Sequence, residues 1–599
     1  MGIPTFFRSI LQKNRRLIRG AVQGGEEFDY FFIDFNSLVY NTWNKIQRSL
    51  SSSDQDETII HDRLIEATVE KVLYMVNEIV CPAHYVFISM DGVAPRAKMV
   101  QQRSRRYKSV QLKEVMRAKR AELDMANPIE WDPSPNICPG TVFMEKMGLA
   151  LRVAMKANRF HSQVLLSDVG CPGEGEHKFL KRIRMIHADP QTRDASVVVY
   201  SPDGDMISLS LLTHKSQIHI MRIPDKESLH ESRFCKDFEF IYCDLDALRK
   251  DFFNQLTVTY RGEDIDELRI LNDYNFLLFM VGNDFVPSLP FLKIRSGGLD
   301  LLIGIYNRLR PEIREYLIDY DPLSPATPRI HPVFFERLIV ELSKTENREM
   351  QQETEERIRH MGGNLSGKTR KMEEGMTPFQ VFESRYQHMC FFSPHHPEAH
   401  RYAHLATLID YRRPKHEWKA KYYEYFLGID AQNMTAYNEG RTQIVVNYLE
   451  SLVFTLRYYL QGCPSYDWHY RYRVSPLPSD IFSVLSRFRY DINNIVFPAS
   501  QPFSPMEQLC FILPPQMSFL LPLPLREILS DRESYPTEFE VDALAGSKYI
   551  YSEAILPELD TEALKAKIRA RISLLNANEQ KRNLSSTRLV YLKKKKSSS

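Results

Sequence analysis

Several things are scarce in this 599-residue sequence, and each scarcity removes a class of protein. Its eight cysteines are scattered, with no CxxC pair and no cluster with histidine, so neither a disulfide framework nor a thiolate metal site is expected. No uninterrupted apolar run reaches the ~18 residues that a membrane-spanning helix needs. The start, MGIPTFFRSILQKNRR, has no cationic segment followed by a long apolar one, so no signal peptide is expected. Its Gly2 does not make a myristoylation site, because Phe6 stands where serine or threonine is required. Excess charge is scarce too. The 78 basic and 76 acidic residues leave +2, so an anionic polymer would have to be met by a local patch. Internal repeats are absent. The expectation is an intracellular protein, in nucleus or cytoplasm, with no membrane attachment.

What is present reads as a packed globular chain, 43% hydrophobic and 11% aromatic. YFFIDFN (30–36), AHYVFISMDG (83–92), SQVLLSDVG (162–170) and SVVVYSPDGD (196–205) are short apolar runs ended by turn signals, and each predicts a buried strand. Helical patterns lie between them, as in 62–80 and 177–186. Strand–helix alternation predicts an α/β fold, a mainly parallel central sheet flanked by helices, over residues 1–345. The charged stretch 346–376 reads as a linker. Residues 377–583 read as a second region that mixes helices with proline-rich irregular chain, and 584–599 as a basic disordered tail.

Acidic residues end the predicted strands repeatedly. Asp34, Asp91, Asp203 and Asp205 do so, Glu174 and Glu176 follow the strand at 162–168, and Asp284 closes the apolar run NDYNFLLFMVGNDF. In a parallel sheet ligands bind beyond the carboxyl ends of the strands, so these side chains could converge on one edge. Any one of them is more simply a turn residue or helix cap. Seven acids at five element ends exceed what capping needs, and their repulsion calls for cations between them. Oxygen-only ligands favour Mg²⁺ or Mn²⁺, and two ions ~4 Å apart would suit phosphodiester hydrolysis. Directly after Asp91, Lys98, Gln102, Arg105 and Arg106 fall at i, i+4, i+7 and i+8 of a predicted basic helix. Arginine forks and a lysine beside an acidic cluster suit a terminal phosphate, although a solvated helix or a general nucleic-acid patch has the same pattern. Tyr40 and the run YDWHYRYR (466–473) supply aromatics that either stack bases or pack a core.

Taken in order, MGIPTFF, IDFNSLVY, MDGVAPRAKMVQQRSRRYKS, NICPGTVFM, GEGEHK, SPDGDMISLSLL, FMVGNDFVPSLPFLKI and GCPSYDWHYRYRVSPLPSD resemble the eukaryotic 5′→3′ exoribonuclease family. The resemblance covers roughly 1–345 and 377–583. It implies a nuclease domain of the PIN and flap-endonuclease kind, buttressed by the second region. It further implies processive removal of nucleotides from single-stranded RNA bearing a 5′-monophosphate. By motif position, Asp34, Asp91, Glu174, Glu176, Asp203, Asp205 and Asp284 would be the catalytic ligands of Mg²⁺, two ions being expected and Mn²⁺ able to substitute. Lys98, Gln102, Arg105 and Arg106 would hold the 5′-phosphate. Trp468, with Tyr466 as its alternative, would stack bases with Tyr40, which stands where the family usually has histidine. A short, minimal member is expected, monomeric, meeting decapping or RNA-decay proteins. The rival readings are a flap endonuclease on the same fold and a catalytically dead RNA-binding scaffold.

Overall fold

Tyr30 to Asp34 is a strand with every residue buried. Tyr30 and Phe32 join one hydrophobic cluster, Phe31 and Ile33 another, so the period-two alternation of a strand feeds cores on both sheet faces. The structure is a computed structural model describing residues 17 to 592, apart from 23, 25, 26, 51–55, 128, 130, 225–237, 260–264, 323, 325, 364 and 587–589. The MGIPTFF opening and the lysine run 593–596 lie outside the described residues.

The central sheet contains β1 (Ile18–Gly20), β2 (Tyr30–Asp34), β3 (Tyr85–Ser89), β4 (Gln163–Ser167), β5 (Val197–Tyr200), β6 (Ile218–Arg222) and β7 (Ile241–Asp244). A separate hairpin pairs β8 (Ile318–Asp319) with β9 (Arg329–Ile330), and β10 (Val590–Leu592) completes the sheet. The order is β1-β7-β6-β5-β2-β3-β4-β10. From β6 to β4 every pairing is parallel, while β1, β7 and β10 add antiparallel edges. The chain runs outward through β2, β3 and β4, then returns to place β5 on the other side of β2. That reversal between β2 and β5 is the topological switch point, where parallel sheets build their sites. The four predicted strands are β5, β2, β3 and β4, which stand side by side in the sheet.

Two boundary expectations change. The stretch 346–376 is no plain linker, because one helix runs unbroken from Pro332 to Met361. Glu346, Met350, Thr354 and Arg357 form its buried stripe at spacings of four, four and three. A charged composition hid that stripe, since two of its members are themselves charged. Glu346 is fully buried because Lys415 pairs with it at 2.8 Å and Ser479 donates to it through both N–H and hydroxyl. The tail is not wholly without structure either, as β10 pairs antiparallel with β4.

The second region reaches back over the sheet. Helix Met434–Gln461 brings Tyr458 and Tyr459 against Phe279 and Phe285, which flank the end of helix Glu267–Met280. Met506, Leu509 and Ile568 pack with Val93 and Met99 at the start of the basic helix Arg96–Glu122. No helix among the described residues is long and apolar enough to cross a membrane.

Candidate active site

Register places the acids before any side-chain geometry is considered. Asp34 pairs with Ser89 and Ser89 with Ser167, so β2, β3 and β4 end level with one another. Asp91 and Glu174 therefore leave the sheet beside Asp34, and Asp203 leaves β5 on its other flank. The turn that carries the glutamates is built for close approach. Gly173 sits at φ +98°, in the left-handed region that glycine favours. A Cβ at Gly175 would stand 3.0 Å from the Ser89 carbonyl and 3.2 Å from Asp91 Oδ1. That absence of side chain lets the Gly175 N–H donate to Asp91 Oδ1 at 2.6 Å. Glu174 is the N-cap of helix Gly175–Ala188 and Glu176 lies in its first turn, where the helix dipole favours negative charge.

The ligand atoms of Asp34, Glu176 and Asp203 all lie within 4.8 Å of one another, and so do those of Glu174, Glu176 and His177. Glu176 belongs to both groups. Neighbouring polar groups fix two of these carboxylates and that of Asp91. Ser37 and Ser201 donate to Asp34 Oδ2, at 2.6 and 3.0 Å, and Asn36 donates to Asp91 Oδ2 at 3.0 Å. The Tyr458 hydroxyl, from the second region, donates to Glu174 Oε1 at 2.8 Å.

Such crowding distorts acidity. Burial, then the charges of Asp203 and Asp91, pushes the Asp34 carboxyl up to about 7. Burial, Asp203 and Asp284 do the same for Asp205, also to about 7. Glu176 is driven well above the carboxylate range by burial, Asp205 and Glu174. Asp284 goes the other way. Burial opposes its charge, but Lys98 and Arg105 hold it below the usual range. Asp205 Oδ1 is buried without a hydrogen-bond partner among the described residues. An orphaned carboxylate oxygen beside two clusters of ligand atoms fits divalent cations, and oxygen donors suit hard ones.

Linkage gives a test that needs no substrate. The unfolded chain releases the Asp205 proton near pH 4, whereas the folded, metal-free chain holds it to about pH 7. Folded protein thus binds more protons in that window, and the group costs increasing stability as pH rises through it. Asp205→Asn should raise Tm of EDTA-treated protein at pH 7.5 by roughly 2 °C. At pH 4.5 it should give only a small part of that gain, which differential scanning calorimetry at both pH values will check.

The basic helix divides its labour. At 100° per residue, Lys98, Gln102, Arg105 and Arg106 spread over about 100° rather than forming one narrow stripe. Lys98 Nζ lies 2.6 Å from both Glu174 Oε2 and Asp284 Oδ2, inside the acidic cluster. Gln101, which sequence reading passed over, donates to Asp284 Oδ1 at 2.5 Å, and Arg105 approaches the same oxygen at 3.4 Å. Gln102 and Arg106 turn elsewhere. Gln102 Oε1 accepts from Gln508, and the buried Arg106 spends its fork on the Gln102 and Ser134 carbonyls and Cys138 Sγ. Arg105, Gln101 and Asp284 line a cavity of about 440 Å³ with Lys108, Lys548 and Tyr551. A larger cavity, about 840 Å³, lies elsewhere, beside Arg441, Arg471 and Arg487. Size does not select the site; the convergence of acids does.

The aromatics expected to stack bases have protein partners of their own. Trp468 stacks on Phe454 at 4.4 Å, meets Phe497 edge-on and donates from Nε1 to Glu450 at 3.0 Å. The Tyr40 hydroxyl donates to the Ser134 carbonyl at 3.5 Å, on the Arg106 side. Tyr466 stands closer to the acids, its hydroxyl 4.0 Å from where a Gly173 Cβ would be. Sequence reading also missed His177 and Tyr458. The first was legible in GEGEHK, one residue beyond Glu176. The second carried no signal, because it comes from 284 residues away.

Comparison with known proteins now decides the family. A family model described as the XRN 5′-3′ exonuclease N-terminus matches residues 1–223, and one described as the Xrn1 helical domain matches 264–599. The chain belongs to the XRN 5′-3′ exonuclease family. The "5′-3′ exoribonuclease 2 homolog" of Caenorhabditis elegans is 26% identical across 99% of this chain and 73% of its own length. The "5′-3′ exoribonuclease 2" of Gallus gallus is 26% identical across 97% and 71%, and the human "5′-3′ exoribonuclease 1" 27% across 97% and 35%. In this XRN chain the two family models leave residues 224–263 unmatched between them.

Losing only the Tyr458 hydroxyl should be measurable. Tyr458→Phe retains the ring but removes the bond to Glu174, and kcat should fall roughly tenfold. RNA affinity should be unchanged; an unchanged kcat would show that Glu174 needs no such support.

Proposed function

We propose that this chain is a processive 5′→3′ exoribonuclease that hydrolyses single-stranded RNA carrying a 5′-monophosphate to mononucleotides, with two Mg²⁺ ions. The exoribonuclease class follows from family membership; the finer reading rests on Glu176 standing in both ligand groups. Divalent ions held by Asp34, Glu176, Asp203 and by Glu174, Glu176, with Asp91, Asp205 and Asp284 around them, would activate a water and neutralise charge on the leaving oxygen. Mn²⁺ would serve in place of Mg²⁺.

The chain's own groups do the rest. Ser37 and Ser201 hold Asp34, Asn36 holds Asp91, and Tyr458 holds Glu174, so little reorganisation accompanies the reaction. Lys98 offsets part of the negative charge between Glu174 and Asp284. Arg105, whose side chain is 35% exposed at the edge of the 440 Å³ cavity, is the group best placed to receive a terminal phosphate. Single-stranded RNA is the partner this reading requires, while decay-factor partners and compartment rest on family likeness alone.

The test compares 3′-labelled RNA with 5′-monophosphate and 5′-hydroxyl ends, in Mg²⁺ and in EDTA. Rapid loss of the monophosphate substrate alone, without long intermediates and only with Mg²⁺, is expected. Internal cuts irrespective of the 5′ end would indicate an endonuclease, and binding without cleavage a scaffold.

A further inference from the structure

The two ligand groups that share Glu176 differ in chemistry. Asp34, Glu176 and Asp203 offer only oxygen, whereas Glu174, Glu176 and His177 include an imidazole nitrogen within 4.8 Å of both carboxylates. His177 is held in place by its neighbours. Its ring stacks on Tyr458 at 3.8 Å and 14°, and Tyr459 meets it edge-on at 5.7 Å. Tyr458 also holds Glu174 through its hydroxyl, so one side chain fixes two members of the group. Helix geometry explains the other constraint, since Glu174, Glu176 and His177 occupy the cap and first turn of one helix. The orphaned Asp205 Oδ1 points independently to a cation in this centre.

We propose that His177 is a nitrogen ligand of one catalytic ion, making that position chemically distinct from its all-oxygen partner. The inference rests on the two-ion reading and adds an asymmetry to it. Mg²⁺ is hard and prefers oxygen in near-ideal octahedral geometry. An imidazole shifts preference toward transition metals, so the His177 position should favour Mn²⁺ over Mg²⁺ relative to the Asp34 position. The stacked Tyr458 limits ring rotation, which lowers the entropic cost of ligation.

The experiment uses the full chain with Mn²⁺ alone, without RNA. Binding isotherms give the number of ions, and pulsed electron paramagnetic resonance reports nitrogen bound to Mn²⁺. Two ions are expected, with nitrogen modulation that changes frequency when the protein carries ¹⁵N-histidine. In His177→Gln that modulation should vanish and one ion should bind roughly tenfold more weakly. Two bound ions with oxygen-only surroundings in the unaltered protein would overturn the role of His177 and leave the two-ion reading standing. Nitrogen modulation persisting in His177→Gln would assign the ligand to another histidine. No bound Mn²⁺ would overturn both readings together. Because the unaltered, isotope-labelled protein answers the main question, poor folding of the variant does not remove the test.

Discussion

Glu176→Gln should lower the rate of cleavage by on the order of 10³-fold or more while single-stranded RNA binding stays within about twofold. The size of the effect comes from position. Every other carboxylate among the two ligand groups belongs to one of them, and Glu176 alone belongs to both. Glutamine keeps the volume and one oxygen but loses the charge, which in the proposed centre would serve both ligand groups at once. Its removal also relieves repulsion, because Asp205 and Glu174 are what drive the Glu176 carboxyl upward after burial itself. The variant should therefore fold at least as well as the unaltered protein without metal. A variant that still degraded 5′-phosphorylated RNA at the normal rate would remove Glu176 from the centre, and with it the two-ion reading.

The second large effect separates two arginines that adjoin in sequence. Arg105→Ala should reduce the preference for 5′-monophosphate over 5′-hydroxyl RNA by about 10- to 100-fold, the worth of one or two charge-assisted hydrogen bonds. Its guanidinium is partly exposed at the edge of the 440 Å³ cavity and approaches Asp284 Oδ1 at 3.4 Å, where a terminal phosphate could be met. Arg106 is buried, with both terminal nitrogens already donating to carbonyls and a thiol. Arg106→Ala should lower stability by roughly 2 kcal/mol through those orphaned acceptors. Steady-state rates on both RNA ends, alongside urea unfolding, distinguish the two. An unchanged end preference in Arg105→Ala would move the phosphate site off this helix.

The strands and acids were legible because strand endings and a parallel sheet together dictate where side chains go. YFFID, YVFIS, QVLLS and VVVY are each too short and too apolar to be anything but buried strand, and the acids follow directly. The helix 332–361 was not legible from charge, because its inward Glu346 and Arg357 are satisfied by partners distant in sequence, such as Lys415 and the Ile409 carbonyl. The basic face was half legible. Spacing showed that Lys98 and Arg105 share a side, but only tertiary packing could turn Gln102 and Arg106 toward Gln508 and Cys138. Trp468 shows the same limit, since a tryptophan among tyrosines and arginines reads equally as a base platform or as packing on Phe454.

The central claim is that Glu176 stands between two ions. Crystals soaked in Mn²⁺ and measured for anomalous scattering test it most directly. Two peaks ~4 Å apart, one on each side of the Glu176 carboxylate, are what the geometry predicts. A single peak, or peaks that leave Glu176 untouched, would contradict it.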